Sequence, residues 1–449
     1  MIFRQIELLS IIKPIWYYDL KTNTDRFFID WESASEEDKK NIDVFKDYDS
    51  TAIMNLDIAY QAWHKGYIGN PNKNYSALLS NQKICLEDQY KFIRRMFKPI
   101  WIYYTIFIRV VTLNNPFYEL KVFFKTRKIK QIDLNFPNYA YQKYITYKAQ
   151  ILITQPLVSV VIPTLNRYEV LKNALTDLSA QDYKNFEVII VDQSEPFNEQ
   201  FYEIFDMNIK LIRQRDRYLW KARNNAIKTA KGKYILLFDD DSRIDPNWIS
   251  EHLKCIEYFK ADISAGVSIS QIGAPIPEHY KYFRWSDQLD TGNALIKKEV
   301  FKKSGLFDRM FEKMRMGDGE FGARVYKDGF NSINNPNAKR IHLKFHSGGL
   351  REIGSWDSLH PTSILSPRPI PSVLYFFRKY WGKKRTLFFL IQNLPLSIGP
   401  FRMKGTKLGY IISFINFLLF TPLVIIQVIR SWKISSKMLV DGNLIEKYK

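Results

Sequence analysis

Four short apolar segments alternate with amphipathic segments between residues 157 and 259. The apolar segments are rich in valine, isoleucine and leucine, which is typical of strands buried on both faces. They are Leu157–Ile162, Phe186–Val191, Ile209–Arg213 and Tyr234–Phe238. The intervening periodicity predicts helices at Tyr168–Ala180, at Trp220–Ala230, and from Asp245 and Pro246 to about Phe259. This alternation predicts an α/β fold with a mostly parallel sheet covered by helices.

Polar residues follow three of the predicted strands directly. Thr164 comes after the first strand, Asp192 after the second, and Asp239–Asp241 after the fourth. In open sheets of this kind, ligands bind outside the carboxyl ends of the strands. The sequence therefore predicts a ligand site at this edge of the sheet.

Three adjacent carboxylates at Asp239–Asp241 repel one another, and a bound cation relieves that repulsion. Hard divalent ions such as Mg²⁺ and Mn²⁺ prefer carboxylate oxygens and often share substrate phosphates as ligands. The alternative is a solvated acidic turn. We expect the metal site, because the triplet directly follows a buried strand.

The rest of the chain divides on either side of the strand–helix region. Residues 1–150 predict an accessory region that is largely helical and carries no evident chemistry, with helices around Ala52–His64 and Leu86–Met96. Ile100–Ile108 is too short to span a bilayer and is either a buried or an interfacial helix. We expect residues 151–360 to form the domain that holds this site. We expect residues 361–449 to form a basic, hydrophobic tail.

Charge is concentrated in this tail. The chain has a formal charge of +20, and residues 368–449 hold 14 Lys/Arg and 2 Asp/Glu, a net +12. Gly409–Ile429 contains no charged residue over 21 positions, close to the roughly 20 residues of a spanning helix. Basic residues among apolar blocks favour a membrane surface over nucleic acid, for which no known motif is present.

Two cysteines, Cys85 and Cys255, lie far apart and have no metal-ligand spacing. A reducing compartment is therefore expected. The first ten residues lack a small-residue cleavage site, so no secretory signal is predicted. These features together predict a location on the cytoplasmic face of a membrane.

Seven ordered motifs resemble the inverting family 2 glycosyltransferases. They cover about 190 residues, and each is weak alone. The motifs are residues 158–167, 186–192, 222–227, 232–241 with Asp245-Pro246, 291–294, 305–308 and 317–324. This resemblance implies a GT-A nucleotide-sugar-binding domain, a UDP- or dTDP-sugar donor, and Mn²⁺ or Mg²⁺ as cofactor.

The resemblance also implies roles for individual residues on the donor side. The loop residues Pro163, Thr164, Asn166 and Arg167, together with Asp192, match positions that hold the base and ribose. For Asp192 the alternative is a turn-forming aspartate.

Arg223 matches a position near the donor diphosphate, or it forms a surface salt bridge. Asp239 and Asp241 match the Asp-x-Asp pattern that meets ribose and metal, with Asp240 adjacent on the substrate side. His342 is the favoured additional metal ligand over His346.

Asp318 matches the family's general base, although it also suits the N-cap of a helix predicted from Glu320. Gly317 stands where the family usually has glutamate, so Glu320 competes for the role of base. Gly348, Gly349 and Arg351 predict either a loop over the diphosphate or a plain turn.

The function predicted is a metal-dependent, inverting transfer of a hexose or deoxyhexose to a lipid-linked or surface-glycan acceptor. One alternative is a sugar-phosphate nucleotidyltransferase, which would want a glycine-rich first loop that residues 163–167 do not provide. Another is a membrane-docked glycan-binding protein without catalysis, against which the acidic triplet and Asp318 argue.

Overall fold

The computed structural model describes most of the chain, which its internal contacts divide into two units. The N-terminal unit comprises Met1–Tyr147 with Ile276–Asp287, and the strand-rich unit comprises Lys148–Pro275 with Gln288–Lys449. The residues described are 2–20, 29, 31, 34–69, 83–271, 276–286, 289–345, 350, 359, 363–399, 403 and 406–448.

The N-terminal unit is helical, as predicted. Its helices are α1 (Leu9–Ile12), α2 (Glu36–Lys40), α3 (Thr51–His64), α4 (Leu86–Met96), α5 (Ile100–Val111), α6 (Pro116–Lys125) and α7 (Gln142–Thr146). Helix α3 buries Tyr60 and Trp63, whose rings lie 5.8 Å apart. Aromatic side chains of this size supply much of the apolar burial available to a small helical unit.

The strand-rich unit contains one twisted sheet. Its strands are β1 (Val158–Thr164), β2 (Phe186–Asp192), β3 (Ile209–Arg213), β4 (Tyr234–Phe238), β5 (Ser242–Ile244), β6 (Ile263–Ser270), β7 (Asn293–Lys297) and β8 (Ser332–His342). They lie in the order β3-β2-β1-β4-β7-β6-β8-β5. All four strands predicted from apolar runs are confirmed, each to within two residues.

The sheet is mixed, and its parallel portion lies where the strand–helix alternation predicts it. Strands β1 to β4 pair in parallel, whereas β7 runs antiparallel to both β4 and β6. Strand β6 pairs in parallel with β8, and β5 pairs antiparallel with β8. Beyond β4 the sequence offers no regular strand–helix alternation, so the pattern that predicts parallel pairing stops there.

The helices of this unit are α8 (Gln150–Thr154), α9 (Tyr168–Ser179), α10 (Gln200–Glu203), α11 (Leu219–Thr229), α12 (Trp248–Tyr258), α13 (Lys298–Ser304) and α14 (Gly317–Lys327). Helices α9, α11 and α12 lie where the periodicity predicts them. The N-cap of α12 is Asn247, so the helix begins after the predicted Asp245-Pro246 start.

Two further helices form the C-terminal region, α15 (Pro371–Asn393) and α16 (Lys407–Asp441). Gly382, with φ of 77°, interrupts α15. Helix α16 is long and apolar enough to cross a membrane, and only 17% of its most apolar window is buried. After α16, the backbone N–H of Leu444 donates to Asp308 Oδ1, which attaches the end of the chain to the strand-rich unit.

Register brings the predicted site residues to one edge of the sheet. Thr164 of β1 pairs with Asp192 of β2, and Val161 pairs with Leu237, one residue before the end of β4. Since these strands run in parallel, the acidic triplet after β4 lies at the same edge as Thr164 and Asp192.

Candidate active site

The loop after β1 holds the acidic triplet from one side. Thr164 Oγ1 donates to Asp240 Oδ2 at 2.8 Å. Arg167 Nη1 lies 3.2 Å from Asp240 Oδ1 and 3.2 Å from Asp241 Oδ2. Asn166, with φ of 53°, turns the backbone between them and accepts a hydrogen bond from the Glu195 N–H. Thr164 and Arg167 therefore contact the triplet directly, as the shared sheet edge predicts.

Two arginines bind Asp239 from the other side. Arg223 Nη2 of α11 donates to Asp239 Oδ1 at 2.7 Å, and Arg340 Nη1 of β8 donates to Oδ2 at 2.9 Å. Arg340 also reaches Asp290 through Nη2, with a shortest distance of 2.9 Å. The side chains of Arg223 and Arg340 are 1% and 2% exposed. Arg223 is thus a buried partner of the triplet and not a surface salt bridge.

Asp239, Asp241 and His342 converge at one point. Their potential ligand atoms lie within 4.8 Å of one another, and His342 Nε2 is 3.3 Å from Asp241 Oδ1. Two carboxylate oxygens and one imidazole nitrogen form a donor set suited to Mn²⁺ or Mg²⁺. The residues present therefore fit the divalent ion that the resemblance implies.

The triplet's repulsion is nonetheless relieved by protein cations. Arg167, Arg223 and Arg340 between them bond all three carboxylates. Charge repulsion alone therefore does not require a metal, contrary to the sequence argument. The convergence of Asp239, Asp241 and His342 is the stronger argument for one.

The carboxylates of Asp240 and Asp241 have pKa values shifted in opposite directions. Burial raises the pKa of Asp240 to about 7, against the opposing charge of Arg167. Burial also raises the pKa of Asp241, but the hydrogen bond and charge of His342 outweigh it, so the net pKa falls below its usual value. Of these two carboxylates, Asp241 is therefore the more strongly ionised at neutral pH.

Asp192 is fully buried at the end of β2. Its Oδ2 accepts from the hydroxyls of Tyr168 at 2.7 Å and Tyr202 at 2.8 Å, and its Oδ1 accepts from the Ser194 N–H at 2.8 Å. A nucleoside that reaches Asp192 has to displace one of these partners. Pro163 precedes Thr164 within β1 and is buried with it.

The candidate base opens helix α14. The helix begins at Gly317, with Met316 as N-cap residue at φ of 79°, so Asp318 is not the N-cap that the sequence also suggested. Asp318 lies in the first turn and is partly exposed, and its Oδ1 accepts from the Gly319 N–H at 2.8 Å. The left-handed backbone of Met316 costs a non-glycine residue about 1–2 kcal/mol, and such conformations are concentrated at functional sites.

Gly317 has a steric reason to be glycine. A Cβ at this position would lie 2.3 Å from Cζ2 of Trp220. Trp220 is itself held by its indole N–H, which donates to the Phe311 carbonyl at 3.0 Å. The tryptophan ring therefore occupies the space in which the family's usual glutamate side chain would begin.

Trp220 also connects the base helix to the acidic triplet. It lies on α11 three residues before Arg223, whose guanidinium carbon is 5.3 Å from the centre of the ring. Arg223 in turn bonds Asp239. Helix α11 thus carries both the arginine that pairs with Asp239 and the tryptophan that packs against Gly317, next to Asp318.

Glu320, the competing base candidate, is fully buried. Its carboxylate accepts from Arg324, from Lys379 Nζ at 3.2 Å and from the Tyr380 hydroxyl at 2.6 Å. Burial raises its pKa, but the charges of Arg324 and Lys379 prevail and lower it. A carboxylate with this many donors and a low pKa is a structural anion and a poor proton acceptor.

Several site residues were not predicted from the sequence. They are Tyr168 and Tyr202 on Asp192, Arg340 and Asp290 beside Asp239, Glu312 at the start of α11, and Lys379 and Tyr380 on Glu320. Only Arg340 carried a signal, because it stands two residues before His342 and successive alternate positions of a strand share a face.

Two tryptophans whose rings could stack on a sugar are buried. Trp248 is fully buried, and its indole N–H donates to Asn293 Oδ1 at 2.8 Å. Trp285 belongs to the N-terminal unit and donates to the Tyr67 carbonyl at 3.1 Å. The predicted loop residues Gly348, Gly349 and Arg351, and the alternative ligand His346, lie outside the described residues.

Comparison with known proteins places this site in a family context. Residues 159–314 match the family model described as glycosyl transferase family 2. The chain is 24% identical over 290 residues to chondroitin synthase from Escherichia coli, covering 53% of this chain and 41% of that protein. It is 36% identical over 103 residues to the putative colanic acid biosynthesis glycosyl transferase WcaA from Escherichia coli K12, covering 22% of this chain and 37% of that protein. The chain thus spans less than half the length of these relatives.

Solved structures are similar over a larger share of the chain but at lower identity. S. aureus TarS 1–349 in complex with UDP-GlcNAc is 19% identical, with a TM-score of 0.39 over 60% of this chain and 81% of that one. GalNAc-T7 with UDP, GalNAc and Mn²⁺ is 14% identical, with a TM-score of 0.43 over 60% of this chain and 56% of that one.

The packing of Gly317 yields a testable prediction. Gly317→Ala should destabilise the protein by about 1–3 kcal/mol, because the new methyl group overlaps the Trp220 ring. Gly319→Ala is the matched control, since its Cβ would make only ordinary contacts at 3.6 Å or more. Thermal melts of both full-length variants measure the effect, and equal melting temperatures would contradict the packing described.

Proposed function

We propose that this chain, whose residues 159–314 match the glycosyl transferase family 2 model, moves a sugar, with inversion, from a UDP- or dTDP-sugar to a lipid-linked or surface-glycan acceptor. The convergence of Asp239, Asp241 and His342 at the carboxyl edge of the sheet is the observation that carries this proposal. The family match favours this activity over nucleotidyl transfer or binding without catalysis. Two of the relatives carry names from bacterial glycan synthesis, which supports a glycan acceptor.

Asp239, Asp241 and His342 would hold the divalent ion. The bound ion supplies positive charge that stabilises the departing nucleoside diphosphate, so no protein acid has to protonate it. Arg223 and Arg340 lie against Asp239 and add fixed positive charge beside this position. Thr164, Asn166, Arg167 and Asp192 are proposed to line the nucleoside side of the same edge.

Asp318 is proposed as the general base. Its carboxylate takes the proton of the acceptor hydroxyl as that oxygen forms a bond to the anomeric carbon. The bond from that carbon to the diphosphate breaks on the opposite face, and the diphosphate keeps the electron pair. Asp318 is partly exposed, whereas Glu320 is fully buried among three donors, which supports Asp318 as the residue that reaches an acceptor.

Metal dependence is tested first. Chelation of divalent ions should abolish transfer, and Mn²⁺ or Mg²⁺ should restore it. Asp241→Asn should lower turnover by about 10²-fold or more, since it removes an ionised ligand. Asp240→Asn should cost much less, because Asp240 bonds Thr164 and Arg167 and is not one of the three converging ligands. Initial rates with a panel of nucleotide sugars measure both, and undiminished transfer in excess chelator would contradict the metal site.

The identity of the base is tested by a pair of isosteric variants. Asp318→Asn should retain nucleotide-sugar binding while transfer falls by about 10²–10⁴-fold, the usual contribution of a general base. Glu320→Gln should have a smaller effect on transfer and a larger one on stability, because it weakens the buried ion pairs with Arg324 and Lys379.

Nuclear magnetic resonance of the product completes this test. Inversion at the anomeric carbon is expected. A dead Glu320→Gln beside an active Asp318→Asn would reassign the base, and retention of configuration would exclude the single-base mechanism.

The C-terminal region is proposed to hold the enzyme at the cytoplasmic face of a membrane. Helix α16 exposes apolar side chains along its length, including Ile411, Leu418 and Ile425. Membrane-bound protein should therefore resist extraction by high salt and yield to detergent, because salt screens charge but does not release apolar side chains. Subcellular fractionation measures this, and release by salt alone would limit the tail to an electrostatic contact.

A further inference from the structure

A helical hairpin of the N-terminal unit has an unusual distribution of apolar and polar side chains. Helices α5 and α6 are joined by residues 112–115 and lie antiparallel, since Tyr103 contacts Phe123 at 5.7 Å between ring centroids and Arg109 Nε contacts Glu119 Oε1 at 2.6 Å. We call residues 100–125 the α5–α6 hairpin.

The outward faces of both helices are apolar. Ile100, Tyr103, Phe107 and Val110 follow one another at helical spacing on α5 and are 64%, 59%, 58% and 39% exposed. On α6, exposed apolar side chains at the same spacing are Phe117, Leu120 and Phe124, at 82%, 45% and 55%. An ordinary surface helix turns a polar face to solvent, whereas α5 is apolar on its exposed face as well as on the face that buries Ile102 and Ile108.

The charged pair within the hairpin faces inward instead. Glu119 is 1% exposed and accepts hydrogen bonds from Arg109 and from the Tyr90 hydroxyl at 2.6 Å. Between Lys98 and Lys130 there are seven basic residues, and Glu119 is the one acidic residue. The acidic charge is therefore neutralised inside the unit, and the outer surface is apolar or positive.

The turn of the hairpin is suited to an environment with little water. Leu113 at the tip is 95% exposed, while the polar side chains beside it bond within the hairpin. Thr112 Oγ1 donates to the Ile108 carbonyl at 2.8 Å, Asn114 Nδ2 donates to the Arg109 carbonyl at 3.0 Å, and Asn115 Oδ1 caps α6. Satisfied polar groups greatly reduce the cost of placing a turn among acyl chains.

Basic side chains collect at the opposite end of the hairpin. Lys98 precedes α5, and Lys125, Arg127, Lys128 and Lys130 end or follow α6, so all of them lie at the open end; each is exposed. The apolar tip of the hairpin matches the acyl region of one leaflet, and its positively charged open end matches the anionic headgroups. Helix α5 has 12 residues, about 18 Å, which is too short to cross a bilayer.

We propose that the α5–α6 hairpin inserts its tip into one leaflet of an anionic membrane, as a contact separate from helix α16. The charge distribution selects a lipid surface over the other candidate occupants, which are a second copy of the chain and its own tail helix. The proposal does not depend on the transfer chemistry.

Fluorescence at single positions of the full-length chain tests this. In a Cys85→Ser background, Leu113→Cys is labelled with an environment-sensitive fluorophore and mixed with vesicles of phosphatidylglycerol and phosphatidylcholine. Serine preserves the N-cap of α4, and Cys255 is buried. Glu36→Cys, exposed in the same unit, is the negative control, and Leu418→Cys reports on the tail.

The label at Leu113→Cys should shift to shorter wavelength and be quenched severalfold by brominated acyl chains, while the label at Glu36→Cys stays unchanged. Lys128→Glu with Lys130→Glu should reduce quenching at Leu113→Cys, and more so on vesicles with less phosphatidylglycerol. Quenching at Leu418→Cys without quenching at Leu113→Cys would overturn the proposal, because the tail alone would then hold the protein. A lipid-independent shift at Leu113→Cys would also overturn it; if that shift grows with protein concentration, a second copy covers the hairpin.

Discussion

Mutual neutralisation of the acidic triplet by buried cations is the interaction on which the strand-rich unit depends. Arg167 comes from the loop after β1, Arg223 from α11, and Arg340 from β8. Each element contributes a cation to carboxylates that follow β4, so the triplet joins segments that are distant in sequence. Removing one partner of such a buried pair leaves an uncompensated charge and costs about 3–5 kcal/mol.

A second layer positions the candidate base relative to this centre. Trp220 fills the space beside Gly317, and Glu312 accepts hydrogen bonds from the first N–H groups of α11 at 3.1 and 2.7 Å. Behind the base, Lys379 of α15 bonds both Asp308 and Glu320. The C-terminal region is therefore part of the support of the candidate active site as well as a candidate membrane anchor. This gives Glu320 a structural role while Asp318, two residues earlier, remains partly exposed.

The sequence predicted those elements of the fold that depend on the composition of a short segment. The apolar runs that become β1 to β4, and the helices α9 and α11, appear within one or two residues of their predicted bounds, because a strand buried on both faces has a distinctive composition. The antiparallel strand β7 and the return of residues 444–446 to the unit depend on contacts between distant segments, which leave no periodic signal. Lys379 was missed for the same reason, since its partner Glu320 is 59 residues away.

The most direct test of the central claim is the binding of Mn²⁺ to the full-length protein, followed by electron paramagnetic resonance with and without UDP. Bound Mn²⁺ is expected in the wild type, with tighter binding when UDP is present and at least tenfold weaker binding in Asp241→Asn. An affinity that is unaffected by both UDP and Asp241→Asn would contradict the assignment of the acidic triplet and His342 as the donor site.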